Sequence, residues 1–239
     1  MPSDRTAILF FSHCPEREWQ NKWFVQEDYA KQRQVAEAFY QHASQAVAES
    51  GLPVREMNGT EQRGDTFGAR LANAAADVFA DGYERVIVVG GDCPSLHEVE
   101  WKAVADQLGG NTPVLGPTPD RDGAYLIGMT QAHFEPEAFA ALPWKTPALF
   151  SALARHLETA SGTRPAMLAP RADVNGHDDL VALLRRPNAA SHPLVMRLRR
   201  VLGGAVRAAR PTQRDATRHV LGRRSRGPPP SSLASSRAR

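Results

Sequence analysis

Arg85-Val86-Ile87-Val88-Val89-Gly90-Gly91-Asp92-Cys93-Pro94 contains four β-branched residues in a row closed by a small one, Val86 to Gly90. An unbroken apolar run of that length fits a strand buried on both faces, and hence the centre of a parallel sheet. Ligands of open α/β sheets bind beyond the carboxyl ends of the strands. Asp92, with two glycines before it and Pro94 close behind, stands where such a ligand would be met. Asp is also a good N-cap residue, and Asp92 is equally placed to cap a helix beginning near Leu96.

The flanking segments complete an alternating pattern. Ala7 to Phe11 is a second continuous apolar run, expected as the first strand and as the neighbour of the Val86 strand. Tyr29, Ala36, Phe39, Tyr40, Ala43 and Val47 recur at helical spacing, which predicts a helix over 26–50 stopped by Gly51. Leu52 to Met57 reads as a short strand. A polar loop, Glu61 to Gly68, leads into a helix with Leu71, Ala74, Ala75, Val78 and Phe79 inward. Residues 96–108 predict a further helix with Val99, Ala103, Val104 and Leu108 inward. Pro113–Pro117 and Ala124–Met129 read as strands joined by the turn Asp120-Arg121-Asp122-Gly123, a local antiparallel addition. A helix carrying Leu149, Phe150, Leu153 and Leu157 and a last strand at Met167–Ala169 follow. Strands alternating with helices specify an α/β fold: a mainly parallel sheet with helices on both faces, over residues 1–186.

Charge divides the chain. Residues 187–239 hold 12 Arg, no Lys and one acidic residue, Asp215; the other 17 basic and 25 acidic residues give 1–186 a net charge of −8. The sequence pI of about 9.1 therefore belongs to the tail, and a basic nucleic-acid-binding domain is excluded for 1–186. The tail offers a basic helix over 194–209, with Arg197, Arg199, Arg200 and Arg207, able to meet nucleic acid or anionic lipid. The Pro- and Ser-rich stretch from Gly227 is expected to be disordered, and a solvated extension is the preferred reading. Two cysteines, Cys14 and Cys93, make neither a disulfide framework nor a zinc site and point to a reduced, cytoplasmic setting. No apolar run approaches the length of a membrane span.

Three acidic clusters fall at strand ends: Asp92; Asp120 with Asp122; and Asp173 with Asp178 and Asp179. Carboxylates from separate strand ends can converge on one hard cation, and magnesium takes one or two of them together with the phosphates of a nucleotide. Turn formation by 120–123 and helix capping by Asp178 or Asp179 are the structural alternatives.

Five spaced motifs carry a resemblance. Gln62-Arg63-Gly64-Asp65-Thr66-Phe67-Gly68-Ala69-Arg70-Leu71, Gly91-Asp92-Cys93-Pro94, Leu115-Gly116-Pro117 with Asp122 to Gly128, Trp144-Lys145-Thr146, and Asp173-Val174-Asn175 with Asp179-Leu180 resemble the uncharacterised transferases of glycosyltransferase-A type, the selenodomain-associated transferases. That family is similar in fold to the guanylyltransferases of cofactor biosynthesis and to nucleotide-sugar glycosyltransferases. The resemblance implies a nucleotide or nucleotide-sugar donor, Mg2+ or Mn2+ as cofactor, Asp92 as the metal carboxylate that orients the phosphates, and Asp173 as a second one. Relatives carry a Lys-Thr-Arg triplet after the first strand, where this chain has Cys14 to Lys22. Asn175 stands in place of a second Asp, and Ala124 in place of Gly.

The remaining candidates follow from placement. Arg17 and Lys22 are the cations that could replace the missing triplet, and Arg63 and Arg70 could reach phosphates from the loop and first helical turn. Gly123 lies in the turn, Tyr125 and Trp144 could stack on a base or sugar or belong to the core, and Asp122 is the candidate base. His13 and His177 lie in loops at the ligand end. Cys93 reads as a packing residue. The expected activity is metal-dependent transfer of a sugar from a nucleotide-activated donor to an unidentified acceptor. Nucleotidyl transfer and a non-catalytic nucleotide-fold binder are the alternatives.

Overall fold

The computed structural model describes residues 5–12, 22–25, 28–120, 122–186 and 192–203. Strand β1 (Thr6–Phe11) pairs in parallel with both β2 (Val54–Met57) and β3 (Arg85–Val89), so the two apolar runs do lie side by side. The six-stranded sheet has the order β2-β1-β3-β5-β4-β6, with β4 at Val114–Pro117, β5 at Ala124–Thr130 and β6 at Ala166–Met167. Only β5 runs against its neighbours. The antiparallel pair expected at 113–129 is present as β4 with β5. β5 is inserted beside β3 in the middle of the sheet, and both of its neighbours shield it.

Alternation along the strands separates two cores. Ala7, Leu9, Val86, Val88, Leu115 and Ile127 face one side and pack with Leu71, Ala75 and Val78 of α2 (Phe67–Ala80), Phe139 of α4 (Pro136–Ala140) and Leu153 of α5 (Leu149–Ser161). Ile8, Phe10, Ile87, Val89 and Leu126 face the other side and meet Ala43 and Val47 of α1 (Tyr29–Ala48) and Val104 and Leu108 of α3 (Trp101–Gly109). The result is a three-layer α/β/α sandwich, as the alternation of elements requires.

Local signals explain the boundaries. Asp28 caps α1 by accepting from the Lys31 amide at 3.0 Å, and Thr66 caps α2 by accepting from Ala69. The expected helix over 96–108 is instead a 3₁₀ turn, Leu96–Glu98, followed by α3. Val99 is extended between them, and Trp101 rather than Ala103 enters the core. Tyr29 begins α1 but is 66% exposed, so the inward stripe starts at Gln32.

The described part of the segment after residue 186 is packed. Helix α7 (Pro193–Val201) buries Leu194, Val195 and Leu198 against Val35 and Phe39 of α1 and Leu180, Leu183 and Leu184 of α6 (His177–Arg185). Its amphipathic pattern serves this docking, which replaces the expectation of a solvated helix for residues 193–201. Burial lowers the proton affinity of His42 and of His192, which caps α7. The Arg- and Pro-rich stretch beyond Gly203, including Arg207, lies outside the described residues.

One close approach fixes the register of β4 against β5. A Cβ at Gly116 would lie 2.4 Å from Cζ of Tyr125, whose ring is buried and whose hydroxyl donates to the Ala169 carbonyl at 3.1 Å. Gly116→Ala is expected to destabilise the protein by about 1–3 kcal/mol through overpacking. That corresponds to a Tm lower by roughly 2–4 °C per kcal/mol, and an unchanged melting curve would contradict this packing.

Candidate functional site

The carboxyl ends of β1, β3 and β4 and the start of β5 open on one cavity of about 870 Å3. It is lined by Ser12 after β1, Gly90 to Asp92 after β3, Thr118 after β4, and Asp122 and Gly123 before β5. Trp144 to Thr146 and Asp173 to Asn175 close it from loops. A cavity here follows from the topology, since parallel strands end together and their loops diverge.

Backbone contacts hold the acidic wall. The Asp92 carbonyl accepts from the Val174 amide at 2.9 Å, which ties the end of β3 to the loop carrying Asp173. The amide of Asn175 donates to Asp179 at 2.8 Å, so Asp179 organises the loop entering α6 from within its first turn, while the N-cap position is Gly176 and not Asp178 or Asp179. Lys22 Nζ lies 2.8 Å from Asp92 Oδ2 and 3.5 Å from the Val174 carbonyl. The Lys22 backbone is set by buried Gln32 of α1, whose side chain donates to the Lys22 carbonyl and accepts from the amides of Phe24 and Val25 at 2.8 Å each.

Asp173 is the electrostatically unusual member. Burial and then the negative charge of Asp92 hold its carboxyl well above the usual carboxylate range, with Lys22 acting in the opposite direction. Its Oδ1 is buried and has no hydrogen-bond partner. Two carboxylates facing one cavity, one with an orphaned oxygen, form a donor set that a divalent cation fits. Among the described residues, however, no three carboxylates close into a single ligating cluster. Asp122 is on the same cavity but is engaged by the Thr118 hydroxyl at 2.7 Å, within a turn that also joins the Thr118 amide to the Gly123 carbonyl at 3.0 Å. Asp120 is exposed and does not line the cavity.

The other candidates separate. Arg70 and Trp144 line the cavity; Trp144 donates from Nε1 to the Phe139 carbonyl at 2.9 Å and packs on Phe67. Tyr125 reaches the cavity wall from the core, with its ring buried and its hydroxyl engaged, so the geometry places it as a packing residue and not as a free stacking platform. Arg63 does not line the cavity: its guanidinium pairs with both oxygens of Asp77 on α2, at 2.6 and 2.8 Å. His177 donates from Nδ1 to the Phe24 carbonyl at 2.9 Å. Burial raises the Cys93 thiol far above its ordinary value, in keeping with a packing role. Arg17 and His13 lie outside the described residues.

Three residues belong to the site that their types alone did not announce. Gln62 donates to the carbonyls of Ser12 at 2.8 Å and Met57 at 3.3 Å, joining the ends of β1 and β2 at the cavity edge. Thr118 orients Asp122. Lys145 adopts a left-handed conformation, φ 63°, uncommon for a residue other than Gly, and holds its ammonium 5.2 Å from the centroid of the Phe67 ring at the cavity mouth. Strained backbone at a ligand-facing loop is a recurrent mark of a functional position.

The three-layer sheet and its strand-end cavity give an α/β fold of glycosyltransferase-A type. Over residues 24–146 the chain matches the model of the uncharacterised proteins conserved in bacteria, DUF2064, and it belongs to that family. Among solved structures, it is similar to a provisionally named nucleotide-diphospho-sugar transferase from Desulfovibrio desulfuricans G20. That similarity has 21% identity and a TM-score of 0.64, and covers 82% of this chain and 95% of the other. A second similarity is to Rv0371c from Mycobacterium tuberculosis H37Rv, at 16% identity and a TM-score of 0.43 over 78% of this chain and 100% of that one. No curated protein matches the chain. Among the described residues no helix is long and apolar enough to cross a membrane.

Proposed function

We propose that the protein transfers a sugar from a nucleotide-diphosphate donor bound in this cavity. The observation that carries the reading is the pair Asp92 and Asp173, which both line the cavity at the strand ends, with Oδ1 of Asp173 buried and unpartnered. Asp92 and Asp173 would hold a divalent cation, magnesium or manganese, which when bound neutralises charge on the diphosphate leaving group. Lys22 and Arg70 supply further positive charge for the phosphates. Trp144, with its ring supported by Phe67, offers an apolar face for the base or sugar. Asp122, held by Thr118, would take the proton of an acceptor hydroxyl. Similarity in fold to a structure named as a nucleotide-diphospho-sugar transferase agrees with this choice of donor.

The 2.8 Å contact of Lys22 with Asp92 favours a second reading, in which a lysine replaces the cation and the protein binds a nucleotide without turning it over. Release of nucleoside diphosphate from a panel of nucleotide sugars separates the two. Release from one donor that stops on chelation of magnesium supports the transferase, and no release from any donor supports the binder.

A further inference from the structure

Outside the cavity, imidazoles from three separate parts of the chain meet. His42 projects from α1, His97 from the 3₁₀ turn after Pro94, and His192 is the cap of α7. Their ring centroids lie 5.3 Å apart for His42 and His97, 5.3 Å for His42 and His192, and 5.0 Å for His97 and His192. One ring nitrogen of each lies within 4.8 Å of those of the other two. Tetrahedral zinc with bonds of about 2.0–2.1 Å to nitrogen sets the centroids of co-ligated imidazoles roughly 5 Å apart. The observed spacing fits rings grouped around a common ion, and it is also within the range of packed rings.

Hydrogen bonding sets the tautomers. The Pro94 carbonyl accepts from Nε2 of His42 at 2.7 Å and from Nδ1 of His97 at 3.2 Å. A carbonyl has no proton to give, so both nitrogens carry hydrogen and the opposite nitrogen of each neutral ring keeps its lone pair. Metal-binding histidines in proteins are oriented in this way, the second nitrogen donating to a carbonyl or carboxylate. His192 supplies an independent observation: both of its ring nitrogens are buried and neither makes a well-formed hydrogen bond, although the Pro94 carbonyl is near enough to act on the ring. Polar atoms left so are unfavourable, and a bond to an ion satisfies one of them. His97 is exposed, which leaves solvent access for a fourth position, while the adjacent Glu98 is engaged by Arg171.

We propose that His42, His97 and His192 bind a divalent transition-metal ion of the zinc class, which fastens the start of α7 to α1 and to the loop that follows Asp92. Three imidazoles select zinc, cobalt, nickel or copper over magnesium, so this site differs in chemistry from the carboxylate pair in the cavity.

Cobalt tests the site directly. The full chain, without a polyhistidine tag and stripped by chelator, is titrated with Co2+ and followed by visible absorption. The expected result is one Co2+ per chain with an intense low-coordinate band that zinc displaces. His97→Ala, at an exposed position that leaves the fold intact, removes the band, and Asp92→Asn retains it. Absence of the band from the wild-type chain, or its survival in both His97→Ala and His192→Ala, would overturn the proposal.

Discussion

Asp92→Asn is expected to leave a folded protein that has lost donor transfer by about 10²–10³-fold, the scale of removing one electrostatic group aimed at developing charge. The substitution removes the carboxylate that Lys22 contacts at 2.8 Å and one of the two charges proposed to hold the cation. Its effects on stability oppose one another. Lys22 loses its carboxylate partner, while Asp173 loses the like charge that helps to raise its carboxyl. The net change in Tm is therefore small beside the change in turnover, and the Asp173 carboxyl returns toward its ordinary range. Steady-state release of nucleoside diphosphate, with a melting curve for the same sample, checks both parts. Activity within about threefold of wild type would remove Asp92 from the mechanism.

Asp173→Asn is expected to raise stability while it lowers activity to a similar degree. A carboxyl whose folded value lies above its unfolded value binds its proton more tightly in the folded state. The stability linked to that proton is present below the unfolded value and is lost as pH rises through the folded value. Asparagine cannot ionise and so avoids the loss. Without divalent cation at about pH 8, the variant should gain about 1 kcal/mol or more, a Tm higher by roughly 2–4 °C. Its advantage should shrink toward acidic pH, where wild-type Asp173 is already protonated. Thermal melts across pH with chelator present read the sign, and a variant less stable than wild type at about pH 8 would contradict the cost of burying an ionised Asp173 beside Asp92. Active sites commonly trade stability for function in this direction.

The layered fold was legible because its signals are local. Val86–Val89 and Ala7–Phe11 are buried and so carry no polar residue to obscure them, and Gly51 follows the end of α1 as its type predicts. The insertion of β5 between β3 and β4 was not legible, since strand order depends on non-local pairing that a turn at 120–123 does not specify. Asp92 and Asp173 could be found from their positions at strand ends. The separation of Arg63 from Arg70 could not, because both sit near the start of one helix and only the fold turns Arg63 toward Asp77. The burial of α7 was equally hidden. Its apolar face reads the same whether it meets lipid or α1 and α6, and the arginines beside it suggested a surface role. The histidine group was invisible because residues 42, 97 and 192 share no spacing.

Calorimetric titration of the full chain with nucleoside diphosphates and nucleotide sugars, with magnesium and then with chelator, addresses the central claim most directly. The full chain is required because α7 packs beyond residue 186. Metal-dependent binding of one nucleotide sugar, abolished by Asp92→Ala, is the predicted result. Binding unaffected by chelator and by Asp92→Ala, or no binding across the panel, would contradict it.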